Sequence, residues 1–469
     1  MTYLKTILKL LLPAALLSAC SQSEDSQVAV SEPLCNVNLS LDLSVASETD
    51  TRAGRPLESS DNWQGVTDVR IYVFRSESGK DGSFFLYHPD VRSHFTGETA
   101  KEEYLYVQAF EKHSVDGKAP VYKDEEHENH KYTLHPSLPV GYYRMLAVGY
   151  DDPESPLTIN WKEGKTEWGQ AVMTSDTPKV TEVFTGYPKD DEGNPRTFNI
   201  ASAETTIHSS ITLYRAVAGV LLYVKNIPTK YKSEYSWNST GHGTGIITSD
   251  LDKDTELSVN EIAIVSVGYN TNLDALSRTW TDKEKGVFKF DASRFRFTRL
   301  VSIPLLDSYE RETIGTTTYI TESLYAGSFV MPSQLSTFEP FIAQYDGGQK
   351  VDEINKEEYH EFNESLYLCF FTITGTGEYY PLKLWPIKLV RSTVTDYDQE
   401  DNCDVDVNVS KDTKRYNLVA NHLYCLGRRD ITLKIDEPVD LKKEIEEHPH
   451  DELTITVIGS WQWDVNIQM

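Results

Sequence analysis

Two segments of this chain alternate between apolar and polar residues with almost no fault, one near each end. In the first, Cys35, Val37, Leu39, Leu41, Leu43 and Val45 are apolar, while Asn36, Asn38, Ser40, Asp42 and Ser44 are polar. In the second, Leu453, Ile455, Val457, Trp461, Trp463, Val465, Ile467 and Met469 share one parity, broken only by Gly459. Thr454, Thr456, Ser460, Gln462, Asp464, Asn466 and Gln468 hold the other, with Ile458 the exception. A repeat of two is that of a β-strand with one buried face. Seventeen extended residues, 453–469, would span about 56 Å, roughly three times an ordinary strand. That is more strand than one sheet uses, which leaves the excess available to another molecule.

Between these ends, short runs rich in Val, Ile, Tyr, Phe and Thr recur between polar loops: Val69–Phe74, Tyr142–Tyr150, Ile211–Val224, Val287–Phe290, Ser365–Ile373 and Leu382–Val390. Strands spaced this way predict an all-β protein of sandwich type. Leu441 to Glu447 reads as a helical turn or two, and no internal repeat stands out. The loops at Lys112–Lys131 and Lys189–Arg196 are acidic and so solvated. An acidic, Gly- and Pro-containing stretch ends near residues 200–207, which divides the body into an N-terminal domain, 53–203, and a C-terminal domain, 204–452.

The first residues change the compartment. Lys5 and Lys9 precede an apolar run, Leu10 to Leu17, that leads into Leu17-Ser18-Ala19-Cys20. A charged start, a short apolar core and small residues form a secretory signal, residues 1–19, too short to span a bilayer. Ending that site in Cys makes it a lipobox, with Cys20 as the acylated residue (palmitate among the chains) of a lipoprotein. No later segment approaches eighteen apolar residues, so lipid is the expected anchor. Residues 20–34 form a polar tether whose Glu24 and Asp25 resemble the acidic surface-export signals of Bacteroidota lipoproteins.

Loss of residues 1–19 leaves 43 basic against 72 acidic side chains, a net charge of −29. That balance keeps a protein soluble and excludes nucleic acid and anionic lipid as natural partners. Cys35, Cys369, Cys403 and Cys425 follow no spacing of a disulfide scaffold or zinc site. Cys369 and Cys425 sit in apolar runs and read as small buried hydrophobes.

After the first alternating segment comes Asp50-Thr51-Arg52-Ala53-Gly54-Arg55, a small-residue segment with basic sites of the kind proteases cut. Lipobox, early strand, Arg site and amphipathic C-terminal strand together resemble the type V pilins (fimbrillins) of Bacteroidales. Val69-Arg-Ile-Tyr-Val-Phe and Gly141-Tyr-Tyr-Arg-Met-Leu-Ala-Val resemble core strands of their N-terminal domain. Leu213-Tyr-Arg-Ala-Val-Ala is similar to the opening of their C-terminal domain, and Asn421-His-Leu-Tyr-Cys-Leu-Gly to their C-terminal signature. The resemblance implies two transthyretin-like, Greek-key β-sandwiches and a lipoprotein precursor carried to the outer membrane surface. There an Arg-specific protease cuts between Arg52 and Ala53 and so removes the first strand, residues 35–52, together with the tether before it. A C-terminal strand of another subunit then fills the vacated groove. In this scheme Val37, Leu39, Leu41, Leu43 and Val45 form the strand that leaves. Trp461, Trp463, Val465, Ile467 and Met469 form the strand that is donated. Partners would be other fimbrial subunits and a surface glycan or protein, with localisation passing from lipid-anchored outer membrane to fimbrium.

The physics suits that scheme. An attached strand competes at very high effective concentration, so no donor displaces it until the tether is cut. Strand addition then joins subunits without covalent chemistry, and a head-to-tail contact repeats into a filament. Two plainer readings stand beside it. The two amphipathic segments also suit the first and last strands of an ordinary surface lipoprotein. The 27 tyrosines equally suit a monomeric outer-membrane glycan binder. Within the family, stalk, tip and anchor all remain open, since only six residues follow Trp463.

Candidate chemistry is thin. Asp250, Asp252, Asp254, Glu256 and Glu261 fall at positions 1, 3, 5, 7 and 12 of a calcium-loop pattern, but Thr255 stands where the turn needs Gly. An acidic surface loop is the better reading. His127-Glu-Asn-His130 lacks the spacing of a metalloprotease helix, Gly164-Lys165-Thr166 lacks the earlier Gly of a phosphate loop, and His448-Pro-His450 lies in a charged turn. No catalytic residue, metal site or cofactor is expected.

Overall fold

The computed structural model describes residues 33–45, 66, 68–92, 99–108, 131–150, 157–234, 254–266, 268–280, 298–335, 341–342, 361–362, 365–373, 377, 379–391, 416–430, 435–447 and 453–458. They are nearly all β. The one α-helix among them, Leu441–Glu447, lies where the helical turn was expected.

Two large sheets account for most of the strands. The first has twelve, and its main path runs Phe85–Tyr87, Asp68–Ser76, Gly141–Tyr150, Val183–Gly186, Glu204–Arg215, Leu34–Val45, Pro136–Pro139, Asp90–Arg92, Thr99–Lys101. It folds over on itself, because apolar side chains from strands far apart on that path share one core. Val69, Ile71 and Val73 meet Val37, Leu39, Leu41 and Leu43 there, together with Met145, Phe184 and Ile211. Two packed layers around one apolar core are what one-face-buried strands require. The second sheet has ten strands, with the path Lys179–Val180, Leu324–Val330, Ala218–Lys225, Leu423–Leu426, Leu453–Ile458, Tyr379–Arg391, Leu366–Ile373, Glu261–Ser266, Thr298–Pro304. Its core is built on Val220, Leu222, Ile264, Leu368, Phe370, Trp385 and Tyr424.

The run Ile211–Val224, expected as one strand, is two. Glu204–Arg215 pairs within the first sheet and Ala218–Lys225 within the second, and the chain crosses between them at Ala216 and Val217. Burial changes character at the crossing: Glu204–Arg215 alternates, with Thr212 and Tyr214 half-buried between Ile211, Leu213 and Arg215, whereas Ala218–Val224 is buried on both faces. Val287–Phe290 lies outside the described residues.

Several contacts stitch the two sheets together. Val172–Thr174 pairs antiparallel with Asn272–Asp274, and Lys179–Val180 with the end of Leu324–Val330. Tyr72, Phe74, Leu146 and Met173 share a core with Leu273, Ala275 and Met331. Beside the crossing, the buried Arg215 donates from Nε to Glu182 Oε1 at 2.6 Å and from Nη1 to Asn421 Oδ1 at 3.1 Å. The Asn421-to-Gly427 motif has a matching physical role. Asn421 has φ of 58° and donates its N–H to Val217 O. Tyr424 OH donates to Asn417 O at 2.6 Å and accepts from Val419 N. Gly427 has φ of 82°, and a Cβ there would lie 2.3 Å from Tyr223 O.

Candidate strand-exchange slot

The first strand, Leu34–Val45, lies in the interior of its sheet. On one side it runs parallel to Glu204–Arg215 through ten consecutive residue pairs, from Asn36 with Glu204 to Val45 with Leu213. On the other side it runs antiparallel to Lys131–Leu134 and Pro136–Pro139. Its alternation maps onto burial residue by residue. Cys35, Val37, Leu39, Leu41 and Leu43 are enclosed, Leu41 completely, while Asn36, Asn38 and Asp42 face water. Val45 ends the strand, and its side chain is outside the described residues. Enclosing these five side chains stabilises the folded chain by roughly 8–12 kcal/mol as an upper bound.

The slot is lined by Ile207, Ile211 and Leu213 of the parallel neighbour, with Leu105, Leu138 and Tyr143 completing it. Glu204–Arg215 is the element that reading the sequence missed at its start. Its signal was present, because Ile207, Ile211 and Leu213 share one parity and are buried. The partnership is not local: about 170 residues separate the two strands, and nothing in either names the other.

At the opposite end of the chain, Leu453–Ile458 forms the first part of the expected seventeen-residue strand. It too is an interior strand, parallel to Tyr379–Arg391 and antiparallel to Leu423–Leu426. Leu453 is buried in the second core. Trp461, Trp463, Val465, Ile467 and Met469 lie outside the described residues, as do Cys20, Arg52 and Ala53.

The remaining candidate groups have structural partners. Glu261 is buried, and Arg299 Nη1 donates to its Oε1 at 3.0 Å. Glu256 is exposed in Glu256–Ser258, Asp254 adopts φ of 68°, and Asp250 and Asp252 are outside the described residues. Gly164 (φ 66°) sits in a turn and donates its N–H to Leu86 O. The motifs at His127–His130 and His448–His450 also fall outside the described residues. Cys35, Cys369 and Cys425 are buried free thiols. Burial pushes Cys425 up to about 12 and Cys369 well above its ordinary value.

Residues 31–256 match the family model of the fimbrillin-A associated anchor proteins Mfa1 and Mfa2, a stretch that contains the first strand and the whole slot around it. No curated protein matches the chain. Among solved structures it is similar to the fimbrial anchor protein Mfa2 of Porphyromonas gingivalis, at 12% identity over 83% of this chain and 90% of that one, with a TM-score of 0.27. The tip fimbrial protein Mfa3 of the same organism, C-terminally truncated, is 11% identical over 83% and 93%, with a TM-score of 0.26. A candidate cell adhesion protein from Bacteroides eggerthii is 11% identical over 92% and 97%, with a TM-score of 0.36. Scores of that size place no residue of this chain in a role.

Proposed function

We propose that this chain, whose residues 31–256 match the family model of the fimbrillin-A associated anchor proteins, is a subunit of a cell-surface fimbrium that serves adhesion and assembles with other fimbrial subunits by strand exchange. It is made as a lipoprotein precursor acylated at Cys20. Cutting between Arg52 and Ala53 releases the first strand and opens the slot for a strand of another subunit. The observation that carries this reading is the first strand itself. It is an interior strand with five enclosed side chains, yet it lies just ahead of Arg52 and is joined to the body only through residues after Val45. A strand so placed can be removed by one peptide-bond cleavage, and its vacancy demands a replacement of the same alternation.

Within a fimbrium we favour a terminal position, as anchor or tip. The family model is one of anchor proteins. Leu453–Ile458 fills an interior place in the protein's own second sheet. The test is the intact mass and N-terminal sequence of the protein taken from the cell surface, with and without Arg-specific protease activity. A form beginning at Ala53 in high-mass assemblies supports exchange at this subunit. A form that keeps acylated Cys20 within such assemblies supports the anchor. Monomers under both conditions overturn the fimbrial reading.

One surface feature favours a second reading, a monomeric glycan-binding lipoprotein. Beside the exposed Tyr106, which is hydrogen-bonded to Asp68, Arg70 lies 5.0 Å from the ring centre of the half-buried Tyr104 and equally far from that of Tyr150, which is buried beneath. Aromatic faces flanked by polar groups suit sugar rings. Retention on immobilised polysaccharide that is lost on Tyr106→Ala would favour this alternative.

A further inference from the structure

The two sides of the first strand are not equal. Among the described residues, Lys131–Leu134 and Pro136–Pro139 join the sheet only by pairing with the first strand. Asp90–Arg92 joins only through Pro136–Pro139, and Thr99–Lys101 only through Asp90–Arg92. Four short strands therefore depend on Leu34–Val45 for their place in the sheet.

Their hold is weaker than that of the parallel neighbour. It consists of seven residue pairs divided between two strands, against ten consecutive pairs with Glu204–Arg215. Pro139, opposite Leu34, and Pro136, opposite Val91, have no N–H to give to a ladder. Their packing is lighter too. Leu138 is enclosed, but Tyr132, Leu134 and Val91 are only partly buried, whereas Ile207, Ile211 and Leu213 on the other side are enclosed. Side-chain contacts also hold the four strands at each end. Tyr143 OH donates to Pro139 O at 2.6 Å and Arg75 Nη2 to Val140 O at 3.1 Å, just where the chain turns at Gly141 into the next long strand. At the far edge, Lys101 pairs with Glu163, which also accepts the His88 N–H at 3.3 Å.

We propose that these four strands form a gate over the outer edge of the slot. It separates from Leu34–Val45 while that strand stays zipped to Glu204–Arg215, so strands leave and enter on the gate side. The purpose of the gate rests on the strand-exchange reading, whereas its motion rests on the pairing alone.

Hydrogen exchange on the intact, uncut chain tests the motion. Amides of 131–134 and 99–101 are expected to exchange at least about tenfold faster than those of 205–213, as sub-global opening requires. Equal protection on both sides would overturn the gate. A second variant, Ser40→Cys with Thr133→Cys, joins cross-strand partners on the outward face. Directly paired residues lie within disulfide reach. Oxidised, this staple should bring exchange at 131–134 down to that of 205–213, and reduction should restore it, with the reduced form as the folding control. Unchanged exchange in the oxidised form would also sink the proposal. A gate that opens as expected, in a protein that takes up no strand after cleavage at Arg52, would instead remove the strand-exchange reading and leave the gate standing.

Discussion

The first strand and the C-terminal strand Leu453–Ile458 are built alike and held differently. Each is amphipathic, each is interior, and each lies between one parallel and one antiparallel neighbour. Leu453–Ile458 lies between the long Tyr379–Arg391 and the short Leu423–Leu426, which is itself paired on its far side with Ala218–Lys225, and side chains from all of these strands share a single large core. Leu34–Val45 joins a substantial half-sheet to four strands of three or four residues each. The same local pattern thus supports a permanent position at one end of the chain and a position open from one side at the other. What decides between them is the packing of the neighbours and their second partners: Leu423–Leu426 is buried throughout and also paired with Ala218–Lys225, whereas Lys131–Leu134 is half-exposed and paired with the first strand alone among the described residues.

The comparison breaks first if the seam between the sheets is weak, since both strands are described on the assumption that it holds. Arg215→Ala leaves the buried Glu182 without its partner and should cost about 3–5 kcal/mol, read by denaturant unfolding of the full chain. Leu41→Ala, at a completely enclosed position, should destabilise the precursor by about 2–5 kcal/mol. It should have no effect on a form from which the strand has been cut, and a residual effect there would mean that the strand is not released. Thiol labelling sharpens the contrast. Cys35 should become alkylated once its strand leaves, while Cys425, paired opposite Thr456 and pushed by burial up to about 12, should stay unmodified. Mass spectrometry of labelled peptides before and after cleavage decides the point.

The smallest effect concerns the gate's far edge. Burial alone would raise the Glu163 carboxyl, but hydrogen bonds from Lys101 and the His88 N–H, with the Lys101 charge, outweigh it and hold the group below its ordinary value. A lowered folded value means that the pair contributes fully above the unfolded carboxylate range, near 4.3, and loses its contribution as pH falls through the folded value. Both side chains are substantially exposed, so Glu163→Gln should cost about 0.2–1 kcal/mol at neutral pH. The cost should vanish at acid pH, as thermal unfolding across that range would show. A cost that persists in acid would mean that the side chain acts through packing instead.

Much of this was legible in the chain itself. Alternation at 35–45 is readable because every inward position is apolar and every outward one polar, and burial follows it without exception among the described side chains. The cysteine readings at Cys369 and Cys425 hold for a similar reason, since both lie within apolar runs. The crossing at Ala216 and Val217 was missed because Ile211–Val224 was read as one apolar run, although the alternation of Glu204–Arg215 gives way there to continuous burial in Ala218–Val224. The seam was hidden for a different reason. Glu182, Arg215 and Asn421 are single polar residues whose importance appears only when folding brings them within hydrogen-bond distance. The gate could not be read at all, because its strands are too short for periodicity and two of their positions are prolines.

The parallel pairing of the first strand also has a mechanical side. Tension applied through residue 33 pulls Leu34–Val45 along its own axis, which loads the ten-pair ladder with Glu204–Arg215 in shear. Rungs loaded that way share the force, whereas rungs peeled from one end break in turn. The strand should resist a lengthwise tug far better than a sideways opening. A precursor held at a surface by its N-terminal end would then withstand drag, and the same strand would still part from its neighbours once a protease had cut behind it.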